Sequence, residues 1–214
     1  MFAELRRGPR SVLAARSPRS WLIAMTGTGL AGCALAAYWA TEPILGLPSV
    51  SRLGIDTRAS WIMNATLLAL GATLFALGLS FKQALTKLRS AGRLSRRAEA
   101  LVVAGFILAG SAVTITGLFP VANPPSTLVH NLAGFAAPIV LMLTVLGARL
   151  ALGDLGFGFD AMSAAIIASI VGAFAATSGG HLVPYAGMEL ICFGMFGAWL
   201  WLFEAHLRQL TNSL

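Results

Sequence analysis

Side chains able to do chemistry are sparse in this chain, and they are unevenly placed. Arg52, Asp56, Arg58, Asn64, His130, Asn131, His181 and Glu189 lie at or beside the ends of long apolar stretches, with Glu42 in the same set. Guanidinium, carboxylate, amide and imidazole groups together suit a phosphate or a zwitterion, because arginine forks match an anion and carboxylates match a cation. His130 and His181 also suit a haem held by two axial histidines. Zinc would need further donors, for which Asp56 and Glu189 are available. The same histidines and carboxylates could serve as general acid–base or metal groups in an enzyme working on lipid headgroups. Against an enzyme stands the lack of a Gly-x-Ser-x-Gly elbow, a His-Glu-x-x-His pair or a phosphate-binding loop. Metal and cofactor therefore stay open.

What must position these groups is set by the rest of the composition. Of the 214 residues, 57% are hydrophobic and 11% charged, and the mean hydropathy is +0.80. A soluble domain could not keep that much apolar surface from water, so lipid is part of the solvent. The net charge of +7 does not point to nucleic acid, because the cations flank apolar runs as topology signals do.

Six apolar spans follow a basic arm over residues 1–20. They run approximately from Trp21 to Ala40, Trp61 to Phe81, Ala100 to Phe119, Leu128 to Leu150, Asp160 to Gly179 and Tyr185 to Leu207. Each approaches the roughly 20 residues that cross a ~30 Å hydrocarbon core. Leu30-Ala31-Gly32-Cys33 has the look of a lipoprotein cleavage box. The apolar run continues through Tyr38 and Trp39, however, so the stretch is read as a retained helix. Pro120, Pro124 and Pro125 are expected in a tight turn before the fourth span, and Lys82 to Arg97 in a loop after the second. Asp160 is expected to cap the fifth helix. Residues 21–207 form the transmembrane domain, and 208–214 a short polar tail.

Of the 15 Lys and Arg residues, all but Arg52 and Arg58 fall on one side of this topology. Both termini are then cytoplasmic, in a bacterial plasma membrane, and the histidines and their neighbours gather at the outer face. His130, opening the fourth span, is placed to hydrogen-bond the carbonyl end of the third. Cys33 and Cys192 each lie about 10 Å inside their spans at 1.5 Å per residue; buried thiols are expected, with pairing left open. Small residues at four-residue spacing (Thr28, Gly32 and Ala36; Gly172, Ala176 and Gly180; Gly194 and Ala198) predict close helix packing within the bundle, or a face for a second copy.

Several short motifs are similar to those of one bacterial family. They are Ser51-Arg52-Leu53-Gly54 with Trp61-Ile62-Met63-Asn64, Gly117-Leu118-Phe119-Pro120 with His130, and Gly187-Met188-Glu189 with Trp199 and Trp201. Over residues 20–207 the chain resembles the six-helix membrane proteins grouped as domain of unknown function 998. The resemblance implies the fold and no agreed activity. The chain departs from that pattern at Leu190, where an arginine is expected. The leading expectation is an all-α, six-helix bundle without catalytic residues, binding a lipid or a membrane-protein partner in an outward-facing polar pocket.

Overall fold

The computed structural model describes residues 17–40, 53, 58–152, 157–180 and 185–214. Arg52, Asp56 and His181, together with Glu42, lie outside the described residues. The fold is six helices: α1 (Pro18–Trp39), α2 (Ser60–Ser90), α3 (Arg96–Leu118), α4 (Pro124–Leu152), α5 (Phe157–Gly180) and α6 (Tyr185–Asn212). All six are long and apolar enough to cross a membrane, and no strand occurs among the described residues. The chain is a multi-pass membrane protein. In lipid a helix is the natural spanning element, because it satisfies its own backbone groups.

The helix ends follow capping chemistry rather than the edges of the apolar runs. α2 continues nine residues past Phe81, with Leu85 and Leu88 buried in the core. It stops at a Schellman turn, in which Gly92 N–H donates to Arg89 O at 2.9 Å and Arg93 N–H to Leu88 O at 2.9 Å. Gly92 carries the positive φ of 73° that this turn requires. The expected loop over 82–97 is thus mostly helix, and the connection is only residues 91–95. α3 starts early because Ser95 Oγ accepts the Ala98 N–H at 3.1 Å. Pro124 and Pro125 are not turn residues: they open α4 behind Asn123, whose Oδ1 accepts the Ser126 N–H at 3.1 Å. Proline fits a first helical turn, where its missing N–H costs nothing. Likewise the expected tail is helical to Asn212.

Two further expectations are corrected. Asp160 lies inside the first turn of α5 rather than at its cap, and its carboxylate pairs with Arg149, whose Nη2 donates to Oδ2 at 2.7 Å. Of the small-residue ridges, only the first packs within the bundle at its glycine; for the other two the alternative of a face for a second copy is untouched. A Cβ on Gly32 would collide with Thr66, whereas one on Gly172 or Gly194 would meet nothing within 4 Å.

Tight packing comes instead from a repeated notch, a glycine on one helix against a threonine on the next. The pairs are Gly32 with Thr66 (α1/α2), Gly71 with Thr114 (α2/α3) and Gly105 with Thr144 (α3/α4). Each threonine hydroxyl donates to the carbonyl four residues back in its own helix, at 2.7, 2.8 and 2.7 Å respectively. The hydroxyl is therefore satisfied before it enters the notch. At the α2/α3 crossing the backbones nearly touch, since a Cβ on Gly71 would lie 2.7 Å from Gly110 O. α5 and α6 close the bundle through aromatic rings. Trp199 stacks on Phe203 at 4.8 Å, and Phe203 meets Phe81 edge-on at 5.0 Å. Cys33 and Cys192 are free thiols, half-buried and buried.

If the notches set the helix spacing, filling one should hurt more than removing its hydroxyl. Gly71→Val is expected to destabilise by about 1–3 kcal/mol through overpacking. Thr114→Val, which keeps the shape and removes an already satisfied group, should cost under about 1 kcal/mol. Thermal unfolding of both variants in one detergent checks this, with Gly172→Ala as the neutral reference.

Candidate functional site

Helices arriving at one end of the bundle build a second buried cluster, separate from the main core. It includes Ala36, Leu53, Ile62, Leu67, Val113 and Ala137, with Leu190 of α6 packed against it. Here α1 and α3 finish while α2, α4 and α6 begin. This is the histidine end; the opposite end, where α2 finishes and α3 begins, is the arginine end.

The last carbonyls of α3 have no helical partner, and in lipid they need one. His130, in the second turn of α4, supplies it. Its Nδ1 lies 3.0 Å from Thr116 O and 2.9 Å from Phe119 O. Both partners are pure acceptors, so Nδ1 carries the hydrogen and donates. The expected role of His130 at the end of the third span is therefore present. The same corner is fastened twice more: Ser126 Oγ donates to Pro120 O, and Ala122 N–H donates to Pro120 O at 2.8 Å.

Fixing Nδ1–H has a chemical consequence. In the neutral ring the other nitrogen, Nε2, is left as a lone-pair acceptor, which is how a carbonyl partner sets the tautomer of a ligating or basic histidine. His130 is only 3% exposed, and Nε2 makes no hydrogen bond with a described residue.

The other expected site residues separate by position. Asn64 joins His130 at this end: α2 and α3 approach so closely that a Cβ on Gly117 would lie 3.1 Å from Asn64 O. Asn64 is half-buried. Glu189 is also half-buried and precedes Leu190, so α6 brings its carboxylate to the same end. Arg58 is exposed in the turn before α2, and Asn131 is exposed on α4. Both the haem pair and the zinc set include residues outside the described ones. Among the described residues no three His, Cys, Asp or Glu side chains are grouped to hold a metal.

At the arginine end, sequence reasoning passed over Glu99 and assigned Glu204 no role. Glu99 is 6% exposed and Glu204 7% exposed. Thr86 Oγ1 donates to Glu99 Oε1 at 2.7 Å, and Arg89 Nε lies 3.0 Å from Oε2 as an ion pair without hydrogen-bond alignment. Arg208 Nε stands 3.8 Å from Glu204. The available signal was an acidic residue lodged in a basic run at an apolar helix position, as Glu99 is.

No family model, curated protein or solved structure matches the chain.

Because His130 donates to two otherwise orphaned carbonyls, His130→Ala should cost about 1–3 kcal/mol. His130→Gln, which keeps an N–H donor, should recover part of that loss. Equal melting points for the two variants would assign the effect to ring packing instead.

Proposed function

We propose that the histidine end is a binding site for a polar ligand that donates a hydrogen bond, foremost the ammonium of a zwitterionic lipid headgroup. The observation carrying this reading is His130: a ring held on one side by two carbonyls, nearly buried, with Nε2 uncommitted among the described residues. Nε2 is not among the buried side-chain atoms that lack a partner, so it keeps some accessible surface through which a ligand donor can reach it. Glu189 brings a carboxylate to the same end, suited to a cation, while exposed Arg58 suits the accompanying phosphate. In this reading the protein binds and does not turn over its ligand. The fixed tautomer also favours a second reading, an enzyme acting on lipid headgroups in which Nε2 is the general base. The resemblance to domain of unknown function 998 belongs to the proposal as well, and it is neutral between the two.

The uneven distribution of Lys and Arg supports an orientation with both termini cytoplasmic and the histidine end outside, in a bacterial plasma membrane. Ala91→Cys, in the 91–95 turn, should then resist a membrane-impermeant maleimide in intact cells and react once they are opened. Labelling in intact cells would invert the orientation.

Binding is tested by following the imidazole nitrogens of ring-15N-histidine protein in micelles. Phosphatidylethanolamine, which has N–H donors, should move the His130 Nε2 resonance; phosphatidylcholine, which has none, should not. The His130→Gln spectrum identifies the resonance by its absence. No movement with either lipid sinks the proposal, and equal movement with both removes the donor requirement.

A further inference from the structure

Where α2 and α3 cross, their small residues leave the lipid-facing seam unfilled. Gly71, Ala72, Gly110 and Ser111 line a groove of about 610 Å³, with Trp21 of α1 and Phe75 as its walls. The groove is mostly apolar: its threonines spend their hydroxyls on their own helices, and Ser111 adds one small hydroxyl to the lining. Thr73 donates to Ala69 O at 2.9 Å, and Thr114 to Gly110 O at 2.8 Å.

Followed toward the arginine end, the same faces stay open and then turn basic. On α3, Ala104 and Ala100 continue the stripe of Ser111 at helical spacing, and both are small and exposed. The stripe ends on Arg97, with Arg96 beside it. On α2, Lys82 follows Phe75 after two turns. At roughly 1.5 Å per residue, Lys82 stands about 16 Å along α2 from Gly71. One leaflet of a ~30 Å hydrocarbon layer is about 15 Å deep. Lys82 therefore stands about one leaflet from the groove, whereas Arg97, 14 residues from Ser111 on α3, stands about 21 Å away and so lies just beyond it.

Charge bookkeeping at this end leaves the three cations uncompensated. Glu99, Asp160 and Glu204 are committed to Arg89, Arg149 and Arg208. Lys82, Arg96 and Arg97 are exposed and form no ion pair with a described residue. Arg96 and Arg97 also open α3, where the helix dipole disfavours cations, so an anion placed there is doubly stabilised.

We infer that the α2/α3 seam binds one phospholipid with an anionic headgroup, an acyl chain in the groove and the phosphate on Lys82, Arg96 and Arg97. This site lies at the opposite end from His130 and stands independently of the function proposed for that end.

Native mass spectrometry of the purified full chain, released from micelles doped with dioleoyl phosphatidylglycerol or dioleoyl phosphatidylcholine, tests it. The wild type should retain phosphatidylglycerol preferentially. Each cation replaced in the series Lys82→Gln, Arg96→Gln, Arg97→Gln should cut that preference roughly fivefold, from about 1 kcal/mol per cation. Ser111→Trp, which fills the groove, should reduce retention of both lipids; if it fails to fold, Ala72→Trp, at an exposed position lining the same groove, makes the same test. Equal retention of the two lipids, or unchanged preference in the triple variant, overturns the inference. So does full retention in the folded groove-filling variant, or equal thermal stabilisation by glycerol 3-phosphate, which has no chain.

Discussion

Close backbone approach between helices is the constraint on which the rest of the bundle depends. Lipid tails are as apolar as leucine, so burying apolar surface gives little drive for one helix to prefer another. Dispersion contacts must do it, and they require proximity. The Gly–Thr notches provide that proximity in sequence, α1 to α2, α2 to α3 and α3 to α4. The threonines can occupy the notches because each hydroxyl is already bonded within its own helix. A registered sheet of four helices results. Its register brings the end of α3 within reach of His130, and its α2/α3 crossing leaves the lipid-facing groove.

α5 and α6 are attached by a different chemistry. Their contacts with the first four helices are large rings and single polar handles. Trp199 Nε1–H donates to Ser163 Oγ at 3.1 Å, joining α6 to α5, and Trp201 Nε1–H donates to Thr26 Oγ1 at 3.2 Å, joining α6 to α1. Phe203 packs against both Phe81 and Phe106, with centroids at 5.0 and 6.1 Å, while those two rings meet each other at 5.2 Å. At the arginine end the Arg149–Asp160 pair ties α4 to α5. Each indole brings apolar area together with a donor that must be placed, so these contacts specify orientation as well as attraction. They do not need small residues, and Gly172 and Gly194 have open space beside them.

The six crossings were legible because lipid imposes a length that an apolar run shows directly. Their ends were less so. Nothing in a headgroup layer stops a helix, and the spacing of Phe81, Leu85 and Leu88 already marked α2 as continuing. Pro124 and Pro125 read equally as turn formers or first-turn residues until Asn123 is seen to cap. The His130 contact could be anticipated, because a short connection forces the start of α4 beside the carbonyl end of α3. The notches could not: glycine and threonine are common in all the spans, and which ones meet depends on rotation and register. Asp160 shows the same limit. Its choice of Arg149 over the backbone N–H groups depends on how α4 ends, which composition does not encode.

His130 also shows why structural and chemical roles are hard to separate in a small membrane protein. Water cannot cap a helix end buried at the lipid boundary, so a side chain must be used. An imidazole that caps through one nitrogen necessarily carries a second, and the cap itself decides its hydrogen. Serine or threonine in that place would cap without leaving a ring nitrogen behind. Lysine would cap while adding a fixed charge beside the lipid, which is costly without a partner. Histidine is the side chain that secures the α3–α4 corner, stays uncharged in its neutral form, and holds a basic atom in a defined direction. The physical demand for a cap thus accounts for the ring being present and rigid, whereas the uncommitted Nε2 is the part that capping alone leaves unexplained.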